Sequence, residues 1–94
     1  MSRAFVNEDA GSPEPRYDLP EPGSPHYDEA AAWALIQGAD QGDSVGAERA
    51  TGYRWGERAL VPHVEIILQR AVAEGEARVE QLARRFLRAA RSQG

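Results

Sequence analysis

The chain has 94 residues, a formal net charge of −4 and no cysteine. This length allows one small domain. Without cysteine the chain has no disulfides, and it has too few ligands for a typical structural zinc site. The longest apolar run, residues 30 to 36, is far shorter than the roughly 20 residues of a membrane span, and the first residues lack the pattern of a secretory signal. We therefore expect a cytoplasmic protein with no cofactor and no membrane contact.

The composition changes near residue 25. Five of the six prolines lie between residues 13 and 25, and every helical hydrophobic repeat follows them. We interpret residues 1–24 as a flexible acidic, proline-rich arm, disordered or extended, because it has too little apolar surface to offset the entropy of ordering. Residues 25–94 are predicted to form a small helical domain. All eleven basic residues are arginine, which is typical of GC-rich bacterial coding.

Charge is divided as unevenly as composition. Residues 1–48 carry ten acidic residues and two arginines, whereas residues 49–94 carry five acidic residues and nine arginines. The two halves thus have net charges of −8 and +4. This division predicts a basic surface for an anionic partner, or an acidic arm that shields such a surface.

A short motif occurs twice, as Pro15-Arg16-Tyr17-Asp18 and as Pro25-His26-Tyr27-Asp28. A repeated Tyr-Asp pair on an extended segment could dock into a partner groove. For the second copy a local role is favoured, with Asp28 as a helix N-cap and Tyr27 as part of a hydrophobic staple.

The first two helices are predicted to be short. The first runs from about residue 28 to residue 37, with Gly38 as a left-handed C-terminal cap. Because it is apolar on all sides, it should lie between other elements or be covered by a second chain. The second begins at Asp43 or Ser44 and ends near Arg54.

The last two helices are predicted at about residues 60 to 74 and 76 to 91, separated by Gly75. Pro62 lies in the first turn of the third helix, where its missing N–H costs little. The third helix has a core face and also an opposite apolar strip formed by Pro62, Ile66 and Ala73. The core residues of the two helices are Leu60, Val64, Ile67, Leu68, Ala71, Val72, Val79, Leu82, Ala83, Phe86, Leu87 and Ala90.

The connection between these helices is short enough to require an antiparallel hairpin. The predicted fold is therefore all-α, with three to four short helices in a small bundle that ends in an antiparallel helical hairpin.

Arginines on the outer side of the fourth predicted helix form the first candidate site. They are Arg84, Arg85, Arg88 and Arg91. Guanidinium groups in such an array can bind phosphates, with an affinity that falls steeply with salt. The favoured alternative is a solvated face, in which cations complement the helix dipole and Glu80 pairs with Arg84.

The segment Tyr53-Arg54-Trp55, between two glycines, is the second candidate. Aromatic residues beside arginine can stack on bases or anchor a protein interface. For Trp55 the favoured alternative is that it closes the end of the core.

An enzyme is not expected. His63 and Glu65 are two residues apart on a helix and so point in different directions. No serine, histidine or glycine pattern matches a nucleophile, metal or phosphate-loop motif.

We therefore expect a small non-catalytic module for protein–protein interaction or regulation, whose partner is another protein or a second copy of the chain. The candidate interface residues are Trp33, Trp55, Pro62, Ile66 and Ala73. The alternative is a nucleic-acid-binding protein that uses Tyr53, Trp55, Arg84, Arg85, Arg88 and Arg91, with the acidic arm as an intramolecular competitor.

Overall fold

The computed structural model describes residues 17–92, which contain helices and no strand. The helices are α1 (Tyr27–Gln41), α2 (Ser44–Thr51), α3 (Val61–Glu74) and α4 (Ala77–Ser92), and a 3₁₀ turn, Arg58–Leu60, precedes α3. This arrangement confirms the predicted all-α bundle.

Helix α1 is the centre of the bundle and packs against α2, α3, α4 and the 3₁₀ turn. Its buried residues include Ala31, Ala32, Ala34, Leu35 and Ile36. The small alanine side chains allow neighbouring helices to approach on several sides. The interpretation that an all-apolar helix lies between other elements is thus confirmed without a second chain.

The predicted end of α1 is wrong. The helix continues through Gly38 to Gln41, and Gly42 adopts the left-handed conformation with φ 74°. The N–H of Asp43 donates to the carbonyl of Gly38 at 2.7 Å, which closes the C-terminal turn. Gly38 is required for another reason, because a Cβ at this position would lie 2.5 Å from the Cβ of Ala47.

Helix α2 begins after Asp43, as predicted, but ends at Thr51, before the predicted end near Arg54. Gly52 terminates it in the left-handed conformation, with φ 80° and its N–H donating to the carbonyl of Glu48. Glycine favours this conformation because it has no Cβ.

Helices α3 and α4 form the predicted hairpin. Pro62 lies in the first turn of α3, and Gly75 ends that helix in the left-handed conformation. Most of the predicted core side chains of the pair are buried or partly buried. Val72 is an exception, with 52% of its surface exposed. Ala71 lies on the buried side of α3. Val72 is exposed because it lies about 100° further around the helix.

Among the described residues, side chains that precede the change of composition near residue 25 already pack against the core. Tyr17 is only 6% exposed, and Leu19 packs against the core. The hydroxyl of Tyr17 donates to Oδ2 of Asp43 at 2.8 Å. The rest of the predicted arm, residues 1–16, lies outside the described residues.

Candidate interaction surfaces

The tyrosines of the repeated motif hold the two ends of α2. Tyr17 donates to Asp43 directly before the helix, and the hydroxyl of Tyr27 donates to the carbonyl of Thr51 at its end, each at 2.8 Å. Because Tyr17 is buried in this contact, its side chain is not presented for docking. Both tyrosines thus make contacts within the fold, a role that the sequence favoured for the second copy and did not indicate for the first.

The prediction that Asp28 caps α1 is wrong. His26 occupies the N-cap position, and Asp28 lies in the first turn, where a negative charge is favourable near the helix N-terminus. Its Oδ1 accepts a hydrogen bond from the hydroxyl of Tyr53 at 2.6 Å. This hydrogen bond, together with burial and the negative charge of Asp28, raises the pKa of Tyr53 to about 12.

Trp55 closes the core, in agreement with the favoured interpretation. Its ring lies edge-on against Phe86, with 5.0 Å between the ring centroids. Its backbone N–H donates to Oε2 of Glu48 at 2.9 Å. Trp55 and Tyr53, both predicted as contact residues, are therefore held in intramolecular contacts, and both side chains are partly buried.

Trp33 and Ile66 come together at a groove between α1 and α3, with a volume of about 220 Å³. Ile66 is 55% exposed, Trp33 is partly buried and Ile67 is buried. We call this feature the α1–α3 groove; its lining residues are Glu29, Trp33, His63, Ile66, Ile67 and Arg70.

The predicted strip on α3 extends the groove along the helix. Pro62 and Ala73 are exposed, and their spacing from Ile66 places all three on one side of the helix. Of the predicted interface residues, Trp33, Pro62, Ile66 and Ala73 thus share one region of the surface, and Trp55 belongs to the core.

Opposite charges flank the apolar centre of the groove. Glu29 lies on α1 and Arg70 on α3, and both are exposed. His63 lines the same groove, so a histidine and a carboxylate share one lining. The lining supplies no serine, threonine or cysteine nucleophile. Within residues 17–92, no group of three or more His, Cys, Asp or Glu side chains is placed to hold a metal ion.

The four arginines of the predicted basic face are all exposed on α4. Nε and Nη2 of Arg84 donate to Oε2 of Glu80 at 3.1 and 2.9 Å. Arg85, Arg88 and Arg91 form no ion pair with any residue among 17–92. Arg91 also lines a second groove, of about 390 Å³, together with Arg58 and Glu65.

Among the helices of residues 17–92, none combines the length and the apolar character needed to cross a membrane.

Comparisons with protein-family models, curated proteins and solved structures gave no match.

Proposed function

We propose that this protein is a non-catalytic interaction module and that the α1–α3 groove binds a second copy of the chain. The observation that carries the proposal is the exposure of Ile66, 55%, in a groove that Trp33 and the buried Ile67 also line. Covering a side chain such as Ile66 stabilises an association by up to about 1.5–3 kcal/mol.

The surroundings of Ile66 suit an approaching helix. Pro62 and Ala73 are compact and project little from α3, so the backbone of a partner can come close. Trp33 provides a large, partly covered ring at the side of the groove. Tryptophan is enriched among the residues that dominate binding energy in protein interfaces.

The charges favour a second copy as the occupant. In a two-fold interface the same patch is used by both subunits, so the patch must be complementary to itself. The groove has this property, because Glu29 lies on its α1 side and Arg70 on its α3 side. In a two-fold dimer whose axis runs along the groove, each Glu29 faces Arg70 of the partner subunit. A second copy also adds buried surface to a domain that is small for independent stability.

The test compares Ile66→Asp with Val45→Asp by sedimentation equilibrium over a range of concentrations. Val45 is the matched control because it is 64% exposed on α2, which does not line the groove. Ile66→Asp should weaken dimerisation about 100-fold, since the dimer would bury an unpaired carboxylate. Val45→Asp should leave it unchanged, and circular dichroism should show both variants folded.

Two results would contradict the proposal. If Ile66→Asp associates as the wild type does, the groove is not the interface. If the wild-type chain stays monomeric at every concentration, a second copy is not the occupant.

A further inference from the structure

We infer that the outer side of α4 binds the phosphate backbone of duplex nucleic acid, at a surface separate from the α1–α3 groove. This surface, the arginine ridge, is formed by Arg84, Arg85, Arg88 and Arg91, all of which are exposed.

Helix geometry aligns the ridge. At about 1.5 Å of rise per residue, Arg84 and Arg91 are about 10 Å apart along the axis. At about 100° per residue, Arg84, Arg88 and Arg91 lie within a sector of about 60°, and Arg85 lies about 60° beyond its edge. The opposite side of α4 is fixed in the core by Leu82 and Phe86. The guanidinium groups therefore form a row on a rigid element and face solvent.

Interactions within the protein account for only two of these four arginines. Arg84 pairs with Glu80, and Arg91 lies in the last turn, where a positive charge complements the helix dipole. Neither explanation applies to Arg85 or Arg88. Arginines at positions 84 and 88 are four residues apart, a spacing at which like charges destabilise a helix by a few tenths of a kcal/mol. Arg85 and Arg88 thus have neither an acidic partner among residues 17–92 nor a place in the last turn of the helix.

The rest of the described surface favours a phosphate backbone as the ligand. The paired N–H donors of a guanidinium group match the oxygens of a phosphate. Such contacts position a protein on a duplex without reading its sequence. Single-strand binding also uses aromatic platforms for the bases, but Tyr53 and Trp55 are held by Asp28 and Phe86. Arg58 lies near Arg91, but Glu65 lines the same groove. We therefore assign the contacts to the arginine ridge alone.

The test is fluorescence anisotropy of a labelled mixed-sequence DNA duplex, titrated with the full chain at several salt concentrations. The test variant is R85Q/R88Q, in which glutamine keeps the length and helical preference of the side chain. The matched control is R49Q/R54Q, which removes the same charge from two other exposed arginines. Circular dichroism should show that both variants are folded.

Four phosphate contacts predict that wild-type affinity falls about 100-fold between 50 and 200 mM salt, and two remaining contacts predict a fall of about 10-fold for R85Q/R88Q. The control should keep the steep wild-type slope. Three results would overturn the inference: no saturable binding at low salt, an equal loss in both variants, or tighter binding of single-stranded RNA that R85Q/R88Q does not impair.

Discussion

Gly38 of α1 and Ala47 of α2 approach each other so closely that no side chain fits between them. A Cβ at position 38 would lie 2.5 Å from the Cβ of Ala47 and 3.0 Å from the carbonyl oxygen of Asp43. It would also lie 3.2 Å from the hydroxyl oxygen of Tyr17. The contact between the first two helices and the position of Tyr17 therefore both depend on the missing side chain.

Replacing Gly38 with alanine should lower the free energy of unfolding by about 1–2 kcal/mol. Alanine favours a helix by up to about 1 kcal/mol, but the clash with Ala47 forces the two helices apart at a cost of about 1–3 kcal/mol. Because Ala47 Cβ is fixed to its backbone, we expect a cost near the upper end. Urea unfolding measures the change.

Gly23→Ala is the matched control, because a Cβ there meets nothing within 4 Å. It should change stability by less than about 0.5 kcal/mol, as surface substitutions do. A Gly38→Ala protein as stable as the wild type would show that the helices do not pack this closely.

Much of the fold was predictable because it depends on local patterns. The hydrophobic periodicity of α3 and α4, Pro62 near the start of α3 and Gly75 at its end were all read correctly from the sequence. Gly38 was not, because glycine is favoured both at a helix end and at a close helix contact. Only the position of Ala47 in space distinguishes these two roles.

The candidate site was predictable only in part. The exposed strip on α3 follows from helical spacing, but its proximity to Trp33 depends on how α1 and α3 pack. The roles of Asp28 and Tyr53 could not be anticipated, because their hydrogen bond joins residues 25 positions apart in sequence. Composition also placed Tyr17 in the arm, since one buried aromatic residue does not change the character of an acidic, proline-rich segment.

Tyr17→Ala should lower the free energy of unfolding by about 3–5 kcal/mol, as truncation of a buried aromatic ring does. Tyr17→Phe keeps the ring and should cost about 1 kcal/mol, for the lost hydrogen bond to Asp43. Chemical denaturation measures both. Asp18→Ala, at the exposed neighbouring position, is the control. Equal stability of the Tyr17→Ala and Asp18→Ala proteins would contradict the packing of this segment.

The hydrogen bond between Tyr53 and Asp28 should make stability depend on pH in the alkaline range. The pKa of Tyr53 is raised from 10.0 to about 12 in the folded protein, chiefly because its hydroxyl donates to Asp28. The unfolded chain therefore releases this proton first as the pH rises. The contribution is fully present below about pH 10 and is lost between about pH 10 and 12.

Asp28→Asn should lower the pKa of Tyr53 towards its ordinary value, because it removes the carboxylate that accepts the hydrogen bond. Ultraviolet titration of tyrosinate measures the change, and a Tyr53→Phe protein identifies which transition belongs to Tyr53. An unaltered Tyr53 transition in the Asp28→Asn protein would show that this contact does not control the pKa.

Charge reversal across the α1–α3 groove tests self-association most directly, by sedimentation equilibrium of E29R, R70E and their equimolar mixture. The E29R chain has two positive rim charges and the R70E chain two negative ones, so each should dimerise about 10- to 100-fold more weakly than the wild type. In the mixture every contact between Glu29 and Arg70 positions becomes attractive again, and a heterodimer of near wild-type affinity should form. A mixture that stays as monomeric as its components, or single variants that dimerise like the wild type, would contradict the two-fold interface.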